Sequence, residues 1–223
     1  MALHVVSSFQ PTVPARPTLL LLHIERSHIR FQPHANKLRD ANPEGASPNP
    51  CSETYRGETP SDSPENQGLT SFVNHLRDTQ SIKLFIDWHS YGQYILSPWG
   101  YNCTIYADAL GRHTKLAALT GDAIRQGANG TTFTFGPSCS TLYATTGSSV
   151  DYIYGVGKAD WSYTIELRDT GDYGFVLPPS QIRGSVEEQW AGMQLMLYLL
   201  DEVFFDGEGP VAMGGEEARI GMR

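Results

Sequence analysis

Hydrophobic and polar residues alternate most clearly in the stretch WSYTIELRDTGDYGF, residues 161–175. Tyr163 and Ile165 fall on one face of the strand that this alternation predicts, and Thr164 and Glu166 fall on the other. Thr170 and Gly171 then predict a turn, so the strand ends in a loop that begins beside Glu166.

Glu166 therefore stands at the end of a mostly apolar strand, where a carboxylate is costly unless it is paired, binds a metal or is used in catalysis. One interpretation is a strand-end acid paired with Arg168, two residues later. The other is a catalytic group that the strand presents at its end, as many α/β enzymes do. The local pattern leaves both interpretations open.

The chain from residue 64 onward alternates between helical and strand periodicity. Ser63, Pro64 and Glu65 are typical of a helix start, and apolar residues at helical spacing extend this helix to about Asp78. The same criteria predict further elements. They are the strands Ile82–Trp88 and Gln93–Ser97, an extended segment Phe133–Cys139, and helices over Ala107–Gln126, Ser148–Tyr154 and about Val186–Phe204.

This alternation of strands and long helices predicts an α/β fold. In the last helix, five apolar residues are expected to face the core: Trp190, Met193, Met196, Leu197 and Leu200. The first forty residues read as poorly structured apart from one strand at Leu19–Leu22, and the Gly-rich tail 206–223 predicts disorder.

Charge and composition narrow the function classes. The net charge is −8 with no basic stripe, which argues against a nucleic-acid partner. No apolar run has membrane-spanning length, and the N-terminus lacks the pattern of a signal peptide. The sequence has three cysteines, so at least one is unpaired within the chain, and two N-x-[ST] triplets would fit a secreted protein.

A histidine at the end of the strand IKLFIDWHS is the second candidate for chemistry. Asp87 and His89 share a face by the period of two, whereas Trp88 points to the opposite face. A histidine at the carboxyl end of a strand is suited to bind a metal or to act as a base. The alternative is a buried histidine with satisfied hydrogen bonds.

The residue types of a serine-hydrolase triad are present. Ser90 or Ser140 would act with His89 and Asp151. No G-x-S-x-G turn surrounds any serine, which argues against this class.

The segment STLYATTGSSVD, residues 140–151, is rich in Ser, Thr and Gly and carries one aromatic residue, Tyr143. A mobile loop that closes a tyrosine over a site is one interpretation. An ordinary surface loop whose tyrosine packs down is the other.

Six strings, in this order, resemble the zinc metallocarboxypeptidases of the carboxypeptidase A type, in the peptidase M14 family, with a fungal-like character. They are NPCSETYRG (49–57), IDWHSYGQ (86–93), SPWGY (97–101), STLYATTGSSVDY (140–152), YTIELRDTGDYGFVLP (163–178) and QIRGSVEEQWAG (181–192). The resemblance covers about residues 41–205. It implies the C-terminal part of a catalytic domain, with a mixed sheet flanked by helices that is incomplete on its N-terminal side.

The resemblance also implies a function. The family is a secreted, extracellular exopeptidase that removes C-terminal residues with a zinc-activated water. Its partners would be peptide or protein C-termini, and the chain would act as a monomer with no nucleic acid or membrane partner.

Individual residues match family positions. His89 matches a zinc ligand, and Glu166 matches the general base that takes a proton from the water. Tyr143 matches the mobile tyrosine that closes over the substrate carboxylate. Other matches are expected to contact substrate: Ser90, Tyr91 and Phe175 line subsites, Val150 lies at the base of the specificity pocket, and Thr145 and Thr164 line that pocket. An aliphatic residue at position 150 implies apolar or aromatic C-terminal residues. The resemblance further implies a disulfide between Cys103 and Cys139.

The family's other two zinc ligands come from an H-x-x-E motif that this sequence does not show. The nearest similar pair is His23 with Glu25, at the wrong spacing. Catalytic zinc needs three protein ligands, so we expect an incomplete zinc site. The rival hypothesis is a non-catalytic remnant that binds peptide C-termini.

Overall fold

The computed structural model describes residues 18–23, 46–52, 55–127 and 130–202. Its strands are β1 (Thr18–His23), β2 (Ile82–Ser90), β3 (Tyr94–Ser97), β4 (Thr134–Pro137) and β5 (Trp161–Leu167). Its helices are α1 (Pro64–Thr79), α2 (Leu110–Gly127), α3 (Ser138–Thr141), α4 (Ser149–Gly155) and α5 (Pro179–Glu202).

The five strands form one mixed sheet in the order β1-β2-β5-β3-β4. Strand β2 lies parallel to β1 and to β5, whereas β3 runs antiparallel to β5 and parallel to β4. The two strands that carry Glu166 and His89 are thus direct neighbours near the middle of the described sheet. Their parallel pairing brings both carboxyl ends to the same edge.

Helix α1 begins where the sequence predicts. Ser63 is its N-cap and its side chain accepts a hydrogen bond from the Asn66 backbone N–H, with Pro64 in the first turn. Leu69, Val73 and Leu76 form its buried face. Burying each of these side chains contributes about 1.5–3 kcal/mol, so the face as a whole anchors the helix to the sheet.

Each face of the sheet has its own hydrophobic cluster. The face of Trp161, Tyr163 and Ile165 packs against α2 and α5 and contains Met193, Met196 and Leu200 of α5. The opposite face carries Phe85 and packs against α1 and α4. Glu166 and His89 extend from this second face, beyond the apolar cluster at the carboxyl ends of the strands.

Helix α5 differs from the prediction in two ways. It begins at Pro179 and not near Val186, because proline is well tolerated in the first turn of a helix. Trp190 is 60% exposed and Leu197 36% exposed, so the expectation that they face the core was wrong. Glu188 and Gln189 are buried instead.

Two smaller differences concern the strand after α2 and the region around His23. Only Thr134–Pro137 of the extended segment forms a strand, and the short helix α3 follows at once. The strand predicted near Leu19 is present, and His23 pairs in backbone register with Trp88. Glu25 and the tail 206–223 lie outside the described residues, and none of the described helices combines the length and apolarity needed to cross a membrane.

Candidate active site

His89 and Glu166 are paired in register at the carboxyl ends of β2 and β5. Because side chains in register on parallel strands point to the same face, the imidazole and the carboxylate lie side by side. Tyr94 of β3 pairs with Glu166 from the other side. The candidate site is therefore built on three adjacent strands.

Asp87 shares this face with His89, as the strand period predicted. Its Oδ1 lies 3.2 Å from the Nε2 atom of His89, and its Oδ2 accepts a hydrogen bond from the Ser149 hydroxyl. Burial by itself lowers the pKa of His89, but the bond to Asp87 and the charges of Asp87 and Glu166 raise it by more. The net effect is a raised pKa, so the acid beside it favours the protonated imidazole.

Glu166 has a buried Oε2 atom with no hydrogen-bond partner in the described part of the chain. Burial raises its pKa, the charge of Asp87 raises it further, and the charge of His89 opposes the shift. An unsatisfied buried carboxylate oxygen costs free energy, so the fold holds Glu166 in a position that stability alone would not select.

Arg168 does not pair with Glu166. Its Nε donates to the Glu188 Oε1 at 2.9 Å, and its Nη2 donates to Oε2 of the same carboxylate. Of the two interpretations of Glu166, pairing with Arg168 is therefore wrong. The guanidinium holds α5 against the end of β5 instead.

The loop after β5 is closed by Asp169, whose carboxylate accepts hydrogen bonds from the backbone N–H groups of Gly171, Tyr173 and Gly174. Gly174 has a φ of +58°, and a Cβ there would lie 3.1 Å from the Tyr91 ring. This close approach brings the loop onto the segment that follows β2.

Tyr91 and Phe175 meet across these two segments. Their rings lie edge to face with centroids 4.8 Å apart, and both are exposed on one side. Ser90 precedes Tyr91 at the end of β2 and is exposed. The structure therefore brings these three sequence-predicted substrate contacts next to the carboxyl ends of β2 and β5.

The remaining substrate-contact candidates have different environments. Tyr143 is 62% exposed in the segment between α3 and α4. Thr145 donates its backbone N–H to the Gly100 carbonyl, and Thr164 pairs with Asp87 across the sheet. Val150 of α4 is fully buried in the cluster against α1, and its carbonyl accepts a bond from the Ser162 hydroxyl.

The serine triad is not assembled. Asp151 accepts hydrogen bonds from the backbone N–H groups of Gly100 and Tyr101, and the carboxylate beside His89 is Asp87. Ser140 donates its hydroxyl to the Pro137 carbonyl. Asp151 thus serves to hold the segment after β3 rather than to orient an imidazole.

The disulfide between Cys103 and Cys139 is present, as the resemblance implied, with the two Cα atoms 4.8 Å apart. It ties the segment after β3 to α3, the short helix before Tyr143. Cys51 is free and exposed.

Two residues of this region were not singled out by the sequence. Ser149 is one of several serines in the segment 140–151, and nothing local marks it as the partner of Asp87. Glu188 lies in the periodic pattern of a helix where acids are ordinary surface residues. Their roles depend on contacts across the fold.

A family model described as zinc carboxypeptidase, Peptidase M14, matches residues 30–192. The chain belongs to the zinc carboxypeptidase family. Among curated relatives, a metallocarboxypeptidase A-like protein of Trichophyton verrucosum (strain HKI 0517) is 46% identical over 153 residues. Carboxypeptidase A2 of Mus musculus is 37% identical over 153 residues.

These matches cover 69% of this chain but 36% and 35% of the two relatives. The chain therefore spans about a third of the length of these curated zinc carboxypeptidases. This coverage agrees with the expectation of a C-terminal part of the catalytic domain.

Solved structures show the same fold. Bovine thrombin-activatable fibrinolysis inhibitor, in complex with tick carboxypeptidase inhibitor, matches with a TM-score of 0.66 and 32% identity, over 70% of this chain and 52% of that chain. Carboxypeptidase A from Helicoverpa armigera matches with a TM-score of 0.64 and 20% identity, over 89% of this chain and 45% of that chain. The predicted fold class, a mixed sheet flanked by helices, is confirmed.

Family membership implies one zinc ion, and the described residues suit only part of such a site. His89 supplies an imidazole. Glu166 pairs with it in register on the adjacent strand, and its Oε2 has no hydrogen-bond partner among the described residues. A catalytic zinc has three protein ligands, whereas no three His, Cys, Asp or Glu side chains group as metal ligands in the described part of the chain. These residues do not by themselves complete a zinc centre.

Proposed function

We propose that this chain supplies His89 and Glu166 to the active centre of a metallocarboxypeptidase, an exopeptidase that removes C-terminal residues from peptides and proteins. In this proposal His89 is a zinc ligand and Glu166 is the general base. Membership of the zinc carboxypeptidase family supports the reaction class. The in-register pairing of the two residues on adjacent strands supports their roles.

The observation that carries the proposal is the state of Glu166. Its Oε2 is buried and has no hydrogen-bond partner in the described part of the chain, while the nearby Arg168 is bound to Glu188. A carboxylate neutralised by an arginine would be a poor base. Burial raises the pKa of Glu166, and a base is most effective when its pKa lies close to the working pH.

A bound zinc ion supplies Lewis-acid chemistry that makes water a nucleophile near neutral pH. The chain's own contribution is proton transfer. Glu166 accepts a proton from the attacking water and returns it to the nitrogen of the departing residue, so that one carboxylate serves both halves of the hydrolysis. Among the described residues its Oε2 has no hydrogen-bond partner, which suits both steps.

Seven residues are proposed to hold the substrate end. The exposed Tyr143 would close over its carboxylate, and the edge-to-face pair Tyr91–Phe175 offers an apolar surface beside the strand ends. Ser90, Thr145 and Thr164 would contribute polar contacts, with Val150 at the base of the pocket. An aliphatic Val150 offers no charge to a Lys or Arg side chain, which supports apolar or aromatic C-terminal residues as the preferred class.

We also propose that the protein acts outside the cell, as a monomer. The Cys103–Cys139 disulfide supports this location, because such bonds persist in oxidising compartments and are rare in the cytosol.

The test uses the full chain, purified with its disulfide intact and supplied with zinc. Peptides that end in Phe, Leu or Lys are incubated with it, and released amino acids are measured. If residues outside the described ranges complete the zinc site, we expect release of Phe and Leu, little release of Lys, and loss of turnover by several orders of magnitude in Glu166→Gln. Glu187→Gln, an exposed acid on α5, is the matched control and should retain activity.

Two outcomes oppose the proposal. A folded chain that releases no C-terminal residue with zinc present would overturn the exopeptidase function. If the same chain binds the peptides without cleaving them, it is instead a binding module for peptide C-termini. Full activity in Glu166→Gln would remove Glu166 from the role of base.

A further inference from the structure

An asparagine in the segment after β3 has no role in the proposed reaction. Asn102 begins the triplet Asn102-Cys103-Thr104, one of the two N-x-[ST] triplets in the sequence. Triplets of this form accept N-linked oligosaccharides in secreted proteins. Since they also occur by chance, the local structure decides whether a glycan fits at this position.

The segment around Asn102 lies at the surface. Asn102 is half-buried, and each of the next four residues, 103–106, is exposed. Among these, Ile105 and Tyr106 are 46% and 53% exposed. An N-linked glycan is bulky and hydrophilic, so a folded domain carries it only where the asparagine borders solvent. This segment meets that condition.

The side chain of Asn102 is held by its own triplet. Its Oδ1 accepts hydrogen bonds from the backbone N–H and from the hydroxyl of Thr104, both at 2.8 Å. This is the local turn that an asparagine side chain forms with the residue two positions later. Both bonds use the carbonyl oxygen, so Nδ2, the atom to which a glycan is attached, takes part in neither. The hydroxyl of the triplet thus faces the acceptor amide.

Fixed contacts on both sides keep the triplet in this position. The backbone N–H of Tyr101 donates to the Asp151 carboxylate, and Cys103 is bonded to Cys139, which is buried. Neither contact involves the amide of Asn102. The fold therefore anchors the segment to the core and leaves the acceptor nitrogen out of the anchoring.

The second triplet, residues 129–131, has a different environment. Asn129 lies outside the described residues, whereas Thr131 is described, and its hydroxyl oxygen accepts a hydrogen bond from Nη2 of Arg168 at 3.3 Å. The same arginine binds Glu188 of α5. The hydroxyl of this triplet is thus engaged with another element, while that of Thr104 bonds to its own asparagine.

We propose that Asn102 is an N-glycosylation site and that the disulfide-bonded protein carries an oligosaccharide there. The inference rests on the proposed location outside the cell, which brings the chain through the secretory pathway. A transferase joins Nδ2 of Asn102 to the anomeric carbon of an oligosaccharide carried on a lipid diphosphate. The bond between that carbon and the diphosphate breaks, and the lipid diphosphate leaves with the proton that the amide loses.

The test expresses the full chain behind a cleavable leader in a eukaryotic secretory host. Leader cleavage identifies the molecules that entered the pathway, in both the secreted and the cell-retained protein. Peptide N-glycosidase in heavy-oxygen water then releases the glycan and converts its asparagine to a labelled aspartate, which mass spectrometry locates. We expect the label at residue 102, in a peptide that remains joined to the Cys139 peptide until the disulfide is reduced.

Four variants isolate the triplet. Asn102→Gln and Thr104→Ala should each remove the glycan, because one lacks the asparagine and the other lacks the hydroxyl. Thr104→Ser keeps a hydroxyl at that position and should retain the glycan. Asn129→Gln is the matched control, since it removes the second triplet and should leave the label at residue 102 in place.

Unmodified Asn102 in the leader-cleaved molecules of both fractions overturns the inference. A glycan confined to molecules that lack the Cys103–Cys139 bond overturns it as well, because the folded protein would then not carry the modification. Persistence of the label in Thr104→Ala has the same consequence, since the triplet would not be what is recognised.

Failure of this inference is distinct from failure of the proposed function. A glycosylated protein that cleaves no peptide would contradict only the exopeptidase function, whereas an active protein with unmodified Asn102 would contradict only the glycosylation site.

Discussion

Arg168, directly after β5, is bound to Glu188 of α5, and within the described part of the chain the buried Oε2 of Glu166 has no hydrogen-bond partner. The Glu188 side chain is completely buried and that of Arg168 is 18% exposed. The fold thus uses one acid to neutralise the arginine and keeps the other free for chemistry. This division underlies the first two predictions.

Replacing Glu188 by Gln should destabilise the protein. The substitution leaves the largely buried Arg168 without its counter-charge, and breaking a buried ion pair on one side costs about 3 kcal/mol or more. Equilibrium unfolding in urea would measure the loss as a lower midpoint with an unchanged slope.

The neighbouring acid provides the control for Glu188. Glu187 pairs with Arg183 at four-residue spacing, and both side chains are well exposed. Glu187→Gln should change the free energy of unfolding by only about 0.5 kcal/mol or less. Equal losses in the two variants would show that burial of the Arg168–Glu188 pair does not matter.

Replacing Glu166 by Gln should have the opposite effect on stability. Burial raises the pKa of Glu166, so the fold disfavours its charged form, and a neutral amide of the same shape removes that cost. We expect the free energy of unfolding at pH 8 to rise by about 1 kcal/mol while peptidase turnover is lost. A stability loss in this variant would indicate that Glu166 has a stabilising partner.

The histidine of α2 should make a contribution to stability that decreases in acid. His113 is fully buried among the rings of Tyr154, Trp161 and Tyr163, and its Nδ1 lies 3.1 Å from the Ala109 carbonyl. Burial lowers the pKa of His113 to about 4. Between about pH 6.5 and pH 4 the unfolded chain binds a proton at His113 that the folded chain does not bind, so the contribution of His113 to the free energy of unfolding falls by about 3 kcal/mol as the pH falls through this range.

Unfolding measured at several pH values tests this prediction. Relative to the unsubstituted protein, His113→Gln should lose less stability, or gain more, as the pH falls from about 6.5 to about 4. His75→Gln, at an exposed position of α1, should not. Burial raises the pKa of Asp151 to about 7, which acts in the opposite direction, but it does so in all three proteins and cancels from the comparison. Identical curves for the two variants would refute the assignment to His113.

The disulfide should contribute stability mainly by restricting the unfolded chain. Cys103 and Cys139 are 36 residues apart, and closing a loop of this size contributes about 2–4 kcal/mol. Replacing both cysteines by Ser should lower the thermal midpoint, measured by circular dichroism. Cys51→Ser, which removes an exposed free thiol, should leave it unchanged.

Much of the fold followed from local patterns. The alternation around Tyr163 predicted β5 and the face of Glu166, and the cap at Ser63 predicted the start of α1. These features depend on backbone geometry and on residues close together in the chain. The resemblance of six strings to carboxypeptidases then indicated the family, which the family match and the solved structures confirm.

Helix α5 shows where local patterns fail. Its hydrophobic residues predicted a core face containing Trp190, but the helix buries Glu188 and exposes Trp190. A buried acid is stable there only because Arg168 approaches from another element. Hydrophobic periodicity cannot register a charge that is neutralised by a residue outside the helix.

The sequence by itself determined which side chains stand at the carboxyl ends of β2 and β5, because strand period and turn signals are local. It left open whether Glu166 was paired, which carboxylate faced His89 and what Ser149 did. Only the tertiary structure decided these points. Each depends on which groups approach from elements distant in the chain, and the free energy of a buried charge is determined by that approach.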